Sequence, residues 1–210
     1  MSNPALMLLI AMALGYLVGA IPLADLLSRR QGVDIFSTGT GLAGASNVLK
    51  NVGRWAALFV LAGDIAKGVV AVAVGEKLGV SGPWILLPAA TAIAGHWNSV
   101  FTGFRGGDGL GTLGGVTLVV FPVYGVVAVS IGMLVALGGQ KMPYSSLMSI
   151  VCGYIVLALF SLADYGEMIN VLLGFGGLAA VVLAHAALGH RRRRRGAEWT
   201  DMGEASSIVE

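Results

Sequence analysis

Along this chain, long apolar runs alternate with short polar segments rich in glycine. The runs fall at residues 4–24, 55–75, 83–101, 110–121, 122–139, 146–162 and 169–189. A helix crossing a bilayer needs about 20 apolar residues, somewhat fewer where the bilayer is thin, so each run is read as one transmembrane helix. The stretch 110–139 is too long for one ordinary span. Its centre, "FPVYG", places Pro122 and Gly125 where they break a helix, which predicts a pair of short helices. The expected fold is an all-α integral membrane protein of seven transmembrane helices.

Composition supports the same class. Of the 210 residues 56% are apolar and 11% charged, with mean hydropathy +0.84, whereas a soluble domain carries about 25% charged residues. The 32 glycines suit close helix packing and irregular loops. The first run lacks a basic leader and continues well past a short signal core, so it is read as a retained span. Cys152, the single cysteine, lies inside an apolar run and reads as a small core residue, with no disulfide framework.

Charge then orients the chain. Seven spans put the termini on opposite sides of the membrane. With the N-terminus out and the C-terminus in, the cytoplasmic segments hold Arg29, Arg30, Lys50, Arg54, Arg105, Lys141 and Arg191 to Arg195. These are all of the 13 basic residues except Lys67, inside a span, and Lys77, outside. Such asymmetry is the positive-inside pattern of a multi-pass cell (plasma) membrane protein. Two units follow: a membrane domain, 1–190, and a basic anchor with a polar cytoplasmic tail, 191–210. The run "RRRRR" reads as a stop-transfer and anionic-lipid anchor. No stacking aromatics or reading element surround it, so nucleic acid is not the expected partner. The polar tail beyond reads as poorly ordered.

Three segments carry candidate chemistry. "GVDIFSTGTGLAGASNVLKNVGR" (32–54) sets Gly39, Gly41 and Gly44 among Thr38, Thr40, Ser46 and Asn47. Glycines let successive amides turn toward one point, making an anion nest; hydroxyls add donors, and Lys50 and Arg54 add charge. "FRGGDGLGT" (104–112) brings Arg105, Gly106, Gly107, Asp108 and Gly109 to the start of a helix, whose exposed amides favour a phosphate. Just upstream, "GHWNS" adds His96, read first as a packed structural residue. Within a span, Asp64 and Lys67 are three residues apart on one helix face and read as a self-paired anchor. "KMPYSSLMS" brings Ser145, Ser146 and Ser149 to the same cytoplasmic side, a weak signal alone because serines are cheap in spans.

These segments, in this order, resemble the bacterial acyl-phosphate:glycerol-3-phosphate acyltransferase family (PlsY). "GYLVGAIPLADLLSRRQGVDI" is similar to its first span and loop. "GTGLAGASNVLKNVG" resembles its G-S-G-N-x-G-A-(T/S)-N-V-x-R-x-x-G, and "DIAKG" its D-x-x-K-G. "GHWNSVFTGFRGGDGLGT" resembles the segment ending F-x-G-G-K-G-V-A-T, and "YSSLMSI" its late serine motif. The resemblance covers about residues 15–150. It implies a multi-pass enzyme that transfers an acyl group from acyl phosphate to glycerol 3-phosphate, giving lysophosphatidic acid for phospholipid biosynthesis. It also implies no metal and no cofactor, with membrane lipids as surroundings; the chain is expected to act as a monomer.

Residue by residue, the family's serine falls on Thr40, its threonine on Ser46, its asparagine on Asn47 and its arginine on Lys50. Its phosphate-binding lysine falls on Asp108 and its late serine on Ser146. The resemblance thus implies a catalytic set of Thr40, Ser46, Asn47 and His190, with the rest of both glycine loops binding substrate. Leu42 stands where the family has asparagine. The C-terminal motif survives as "HRRRRRGAE", matching its histidine to His190, with His185 a second candidate. Asp108 leaves three readings open: a degenerate chain acting as a lipid-binding or interaction module, an active enzyme with charge supplied elsewhere, or an enzyme for a neutral or cationic acceptor.

Overall fold

A computed structural model describes residues 3–139, 145–164 and 169–207, with the side chains of residues 137, 146, 162–164 and 189–207 outside the description. Nine helices are formed in chain order among these residues: α1 (Pro4–Ala20), α2 (Leu23–Arg29), α3 (Ala45–Asn51), α4 (Arg54–Lys77), α5 (Leu86–Trp97), α6 (Leu110–Val120), α7 (Pro122–Gly138), α8 (Ser145–Asp164) and α9 (Ile169–Ser207). Short 3-10 turns, Gly82–Ile85 and Val100–Thr102, flank α5. No strand occurs among the described residues.

Local chemistry sets the boundaries. The Asn3 side chain accepts from the Ala5 amide at 3.0 Å, and Pro4 takes the first helical position, where its missing amide hydrogen costs nothing. The first run breaks earlier than residue 24. Ile21 precedes Pro22 and leaves the α region, and α2 restarts at Leu23. The stretch 110–139 is two helices. Phe121 turns away at φ −130° and ψ 71°, Pro122 opens α7, and Gly125 lets α7 fold back onto the Thr117 carbonyl of α6. At the other end α9 remains helical through the arginine run to Ser207, where a poorly ordered tail was expected. No proline interrupts that segment.

By length and composition, Pro4–Arg29, Arg54–Lys77 and Ile169–Leu188 are able to cross a membrane, and Leu110–Val120, Pro122–Ala136 and Leu147–Ser161, within α6, α7 and α8, are shorter apolar stretches. Packing follows membrane rules: lipid is as apolar as leucine, so helices associate through small residues and close contact. Gly19 of α1 lies against the Ala92 backbone of α5, and Gly95 of α5 against the Tyr16 carbonyl of α1; Gly68 and Gly115 do the same for α4 and α6. Outward, Leu9, Phe59, Val123, Leu134, Leu159 and Leu173 are 62% to 70% exposed, a surface suited to lipid. At the end where α1 finishes and α4 begins, Ala24, Ile35, Ala43, Val48 and Val60 form a separate small core. That core holds α2, α3 and the intervening loop as a platform.

Candidate functional site

The first glycine loop is built around Asn47, 1% exposed at the start of α3. Its Nδ2 donates to the carbonyls of Ile35, Thr38 and Leu42 at 3.2, 2.9 and 3.0 Å. Its Oδ1 accepts from the Thr40 amide at 3.3 Å and from Asn51 Nδ2 at 2.8 Å. Gly39 and Gly41 have φ of 59° and 67°, the left-handed region that glycine enters without a Cβ penalty. A Cβ at Gly39 would strike Asn47 Oδ1 and Asn51 Nδ2. At the loop's entrance, the Asp34 carboxylate accepts from the Phe36 amide at 3.0 Å. That bond, with help from Ser37, holds the carboxyl below its ordinary range.

Once Asn47 and Thr38 are spent on the loop, the outward groups remain. Thr38 Oγ1 donates to the Asp34 carbonyl at 2.8 Å. Thr40, Ser46 and Lys50 are exposed, and Ser46 and Lys50, four residues apart, share one face of α3. Gly44 is extended at φ −131°, and its carbonyl takes the first bonds of α3.

The second loop folds beneath the end of α5. Ser99 Oγ donates to the Ala20 carbonyl at 2.5 Å and accepts from the Phe101 amide at 3.2 Å. Phe104 adopts φ 62°, a left-handed conformation that the sequence does not signal. The Gly107 amide donates to the His96 carbonyl at 3.1 Å, and Trp97 Nε1 donates to the Asp108 carbonyl at 3.0 Å. Gly109, at φ 81°, turns the chain into α6. The two loops are joined directly, because the Ala43 amide donates to the Gly106 carbonyl at 3.1 Å. Arg105 crosses the same seam, its guanidinium 4.4 Å from the centre of the Phe36 ring.

Under this seam lies a buried ionic cluster. Lys67 Nζ is 2.8 Å from Asp64 Oδ1, and His96 Nδ1 is 3.5 Å from each. The three are 5%, 5% and 6% exposed, so the self-paired anchor expected for Asp64 and Lys67 includes His96. A Cβ at Gly107 would lie 2.5 Å from His96 Nε2 and 2.6 Å from the Ala43 carbonyl. The cluster therefore abuts the backbone of both loops. Among the described residues, no group of three or more His, Cys, Asp or Glu converges as a metal ligand set.

The fold thus gathers Gly39, Thr40, Gly41, Gly44, Ser46, Asn47 and Lys50 with Arg105, Gly106, Gly107, Asp108 and Gly109 at one end of the bundle. Ser146 and His190 lie outside the described side chains, as do Lys141 and the arginine run. Trp97 and Phe36 carry no motif signal in the sequence. His185, the second candidate for a C-terminal histidine, stacks on Trp97 with ring centroids 4.1 Å apart, bringing α9 to the second loop. The sequence also gave no sign of an apolar cavity of about 160 Å³ beside the first turn of α6. Its lining is scattered over five helices.

Residues 9–195 match the sequence model of a family described as glycerol-3-phosphate acyltransferase. The chain belongs to this family. Glycerol-3-phosphate acyltransferase 1 of Deinococcus radiodurans is 47% identical over 118 residues, 56% of this chain and 60% of that protein. The Geobacter sulfurreducens relative is 44% identical over 128 residues, 60% of this chain and 66% of that protein. The chain thus spans under two thirds of these two relatives. The match to the Desulforudis audaxviator relative is longer, 37% over 184 residues, covering 87% and 90%. The glycerol 3-phosphate form of PlsY, an integral membrane glycerol 3-phosphate acyltransferase, superposes with TM-score 0.70 at 28% identity, covering 92% of this chain and 91% of that one. Its lysophosphatidic acid form gives 0.71 at 25% identity, covering 90% and 92%. Like them, this family member is an integral membrane protein, and its described residues form helices without a strand.

Proposed function

We propose that this protein is a membrane acyltransferase that moves an acyl group from acyl phosphate to glycerol 3-phosphate, yielding lysophosphatidic acid and phosphate. The observation that carries the reading is the Ala43–Gly106 bond, which fuses two glycine-rich loops into one cradle at the start of α6. The Thr40, Gly41, Ala43, Gly44 and Gly107 amides are spent on holding the cradle together, and the positive end of α6 is what suits phosphate there. Lys50 and Arg105 add positive charge at its exposed rim, and Thr40 and Ser46 offer hydroxyls there. Asn47 acts by holding the loop. Ser146 completes the binding side and His185 or His190 the C-terminal side, by the family resemblance. In the reaction the acceptor hydroxyl oxygen bonds to the acyl carbon, the bond from that carbon to the phosphate oxygen breaks, and the hydroxyl proton is released.

The apolar cavity beside the cradle takes the acyl chain, so that the reacting carbonyl sits where cradle and cavity meet. In the plasma membrane the chain crosses seven times, through α1 with α2, α4, α5, α6, α7, α8 and α9, with its N-terminus out. It works as a monomer on substrates drawn from both lipid and cytoplasm. Labelling of single cysteines at position 3 and in the tail is expected from opposite sides; labelling from one side would exclude this topology.

Asp108 supports a second reading, an acceptor without a phosphate. The deciding experiment supplies the purified protein, in lipid vesicles, with acyl phosphate and a panel of anionic, neutral and cationic alcohols, with products identified by mass spectrometry. Lysophosphatidic acid from glycerol 3-phosphate is expected. A preference for a neutral or cationic alcohol would establish the second reading, and silence with every acceptor would leave a lipid-binding module.

A further inference from the structure

We propose that the aromatic floor of the apolar cavity sets the length of acyl chain this protein accepts, an inference that rests on the acyltransferase reading above. The cavity begins at Leu110 and Gly111, in the first turn of α6, directly after the loop that ends at Gly109. It is lined along α6 as far as Thr117 and along α8 from Ser149 to Leu157. At 1.5 Å per residue these stretches run roughly 10 and 12 Å into the bundle, away from the cradle. Tyr154, Leu157 and Phe175 line it too, Leu157 at the far end of the α8 stretch, and we take these three as its floor.

This floor is braced. The Tyr154 and Phe175 rings stack with centroids 6.3 Å apart, and Phe121 meets Phe175 edge-on at 5.5 Å. Tyr154 Oη donates to the Leu172 carbonyl at 3.3 Å, and Gly176 leaves room for that hydroxyl, since a Cβ there would strike it. Leu157 and Phe175 are 0% and 3% exposed. A chain leaving lipid for this cavity gains no hydrophobic transfer energy, because both surroundings are apolar. Selection must then come from fit. A chain too long presses on a floor that cannot yield, and overpacking of this kind costs enough to lower rates about tenfold or more.

The floor and the wall can be moved separately. Phe175→Ala and Tyr154→Ala deepen the cavity. Gly114→Leu fills it from the side, at a position where a Cβ meets nothing nearer than 3.9 Å. The measurement is kcat/KM across saturated acyl phosphates that differ by two carbons. The deepened variants should move the optimum to longer chains and Gly114→Leu to shorter ones. The ratio between neighbouring lengths should change about tenfold, with KM for the acceptor unchanged.

Binding of unreactive alkyl phosphonates of the same lengths, read as thermal shift, should give the same order without turnover. A folded set of variants with an unaltered length profile in both measurements would overturn the proposal. An inert wild type that still binds phosphonates by length would instead sink the acyltransferase reading and leave the floor as the ruler of a lipid site.

Discussion

Removing the Asn47 amide separates a scaffold role from contact with substrate. Asn47→Ala deletes two donors shared among the carbonyls of Ile35, Thr38 and Leu42, and the acceptor used by Thr40 and Asn51. Counting two donated and two accepted bonds at a net of about 1 kcal/mol each, the loss is about 4 kcal/mol. If the loop and the bundle unfold together, that lowers Tm by about 8–16 °C for a chain of this size. Should the loop open alone, the loss appears as faster amide exchange over residues 34–53 with Tm nearly unchanged. Asn47→Asp is expected to be at least as damaging, since it keeps the acceptor but turns an oxygen toward three carbonyls in a buried site. The assays are thermal unfolding in detergent and hydrogen exchange, beside lysophosphatidic acid formation. An Asn47→Ala protein with native Tm and native loop protection but no activity would refute the scaffold argument and return the amide to the substrate.

Asp108→Lys is expected to raise activity with glycerol 3-phosphate. Like charges about 4 Å apart at an effective dielectric near 20 repel by about 4 kcal/mol, roughly a thousandfold in affinity, so acceptor KM should fall by a large part of that factor. A weaker variant of an active wild type would give the carboxylate a positive role. Lys67→Met alone, which strands the buried Asp64 carboxylate, should cost about 3–5 kcal/mol in thermal unfolding, while Asp64→Leu with Lys67→Met should recover most of it; a double-variant loss equal to the sum of the Lys67→Met and Asp64→Leu losses would show that the pair is not coupled. The Asp34 carboxyl lies below its ordinary range in the folded loop, so its contribution is complete above about pH 4 and fades as pH falls through the lowered value. The protection factor of the Phe36 amide, its exchange corrected for the intrinsic pH dependence, should fall on acidification over that window, and Asp34→Asn should remove the dependence.

The membrane class and helical content were legible in the sequence because lipid imposes a length and an apolarity on each crossing that no tertiary contact can waive. The division of 110–139 was legible for a similar local reason: Pro122 lacks an amide hydrogen wherever it sits. So were the turns of the two glycine loops, where Gly39, Gly41 and Gly109 take the left-handed backbone that glycine enters without a Cβ penalty. The joining of those loops was not legible, because Ala43 and Gly106 are bonded across 63 positions of chain and neither residue type announces it. The family resemblance also sets Asn47 among the catalytic side chains. Tertiary structure turned its amide inward, since the loop's own carbonyls need the donors that the same residue would otherwise offer a substrate. It likewise drew His96 into the Asp64–Lys67 pair and His185 onto Trp97, and it assembled an apolar cavity from five helices. Those outcomes depend on which helix faces meet, a property of close packing among small residues that leaves no local mark in the chain.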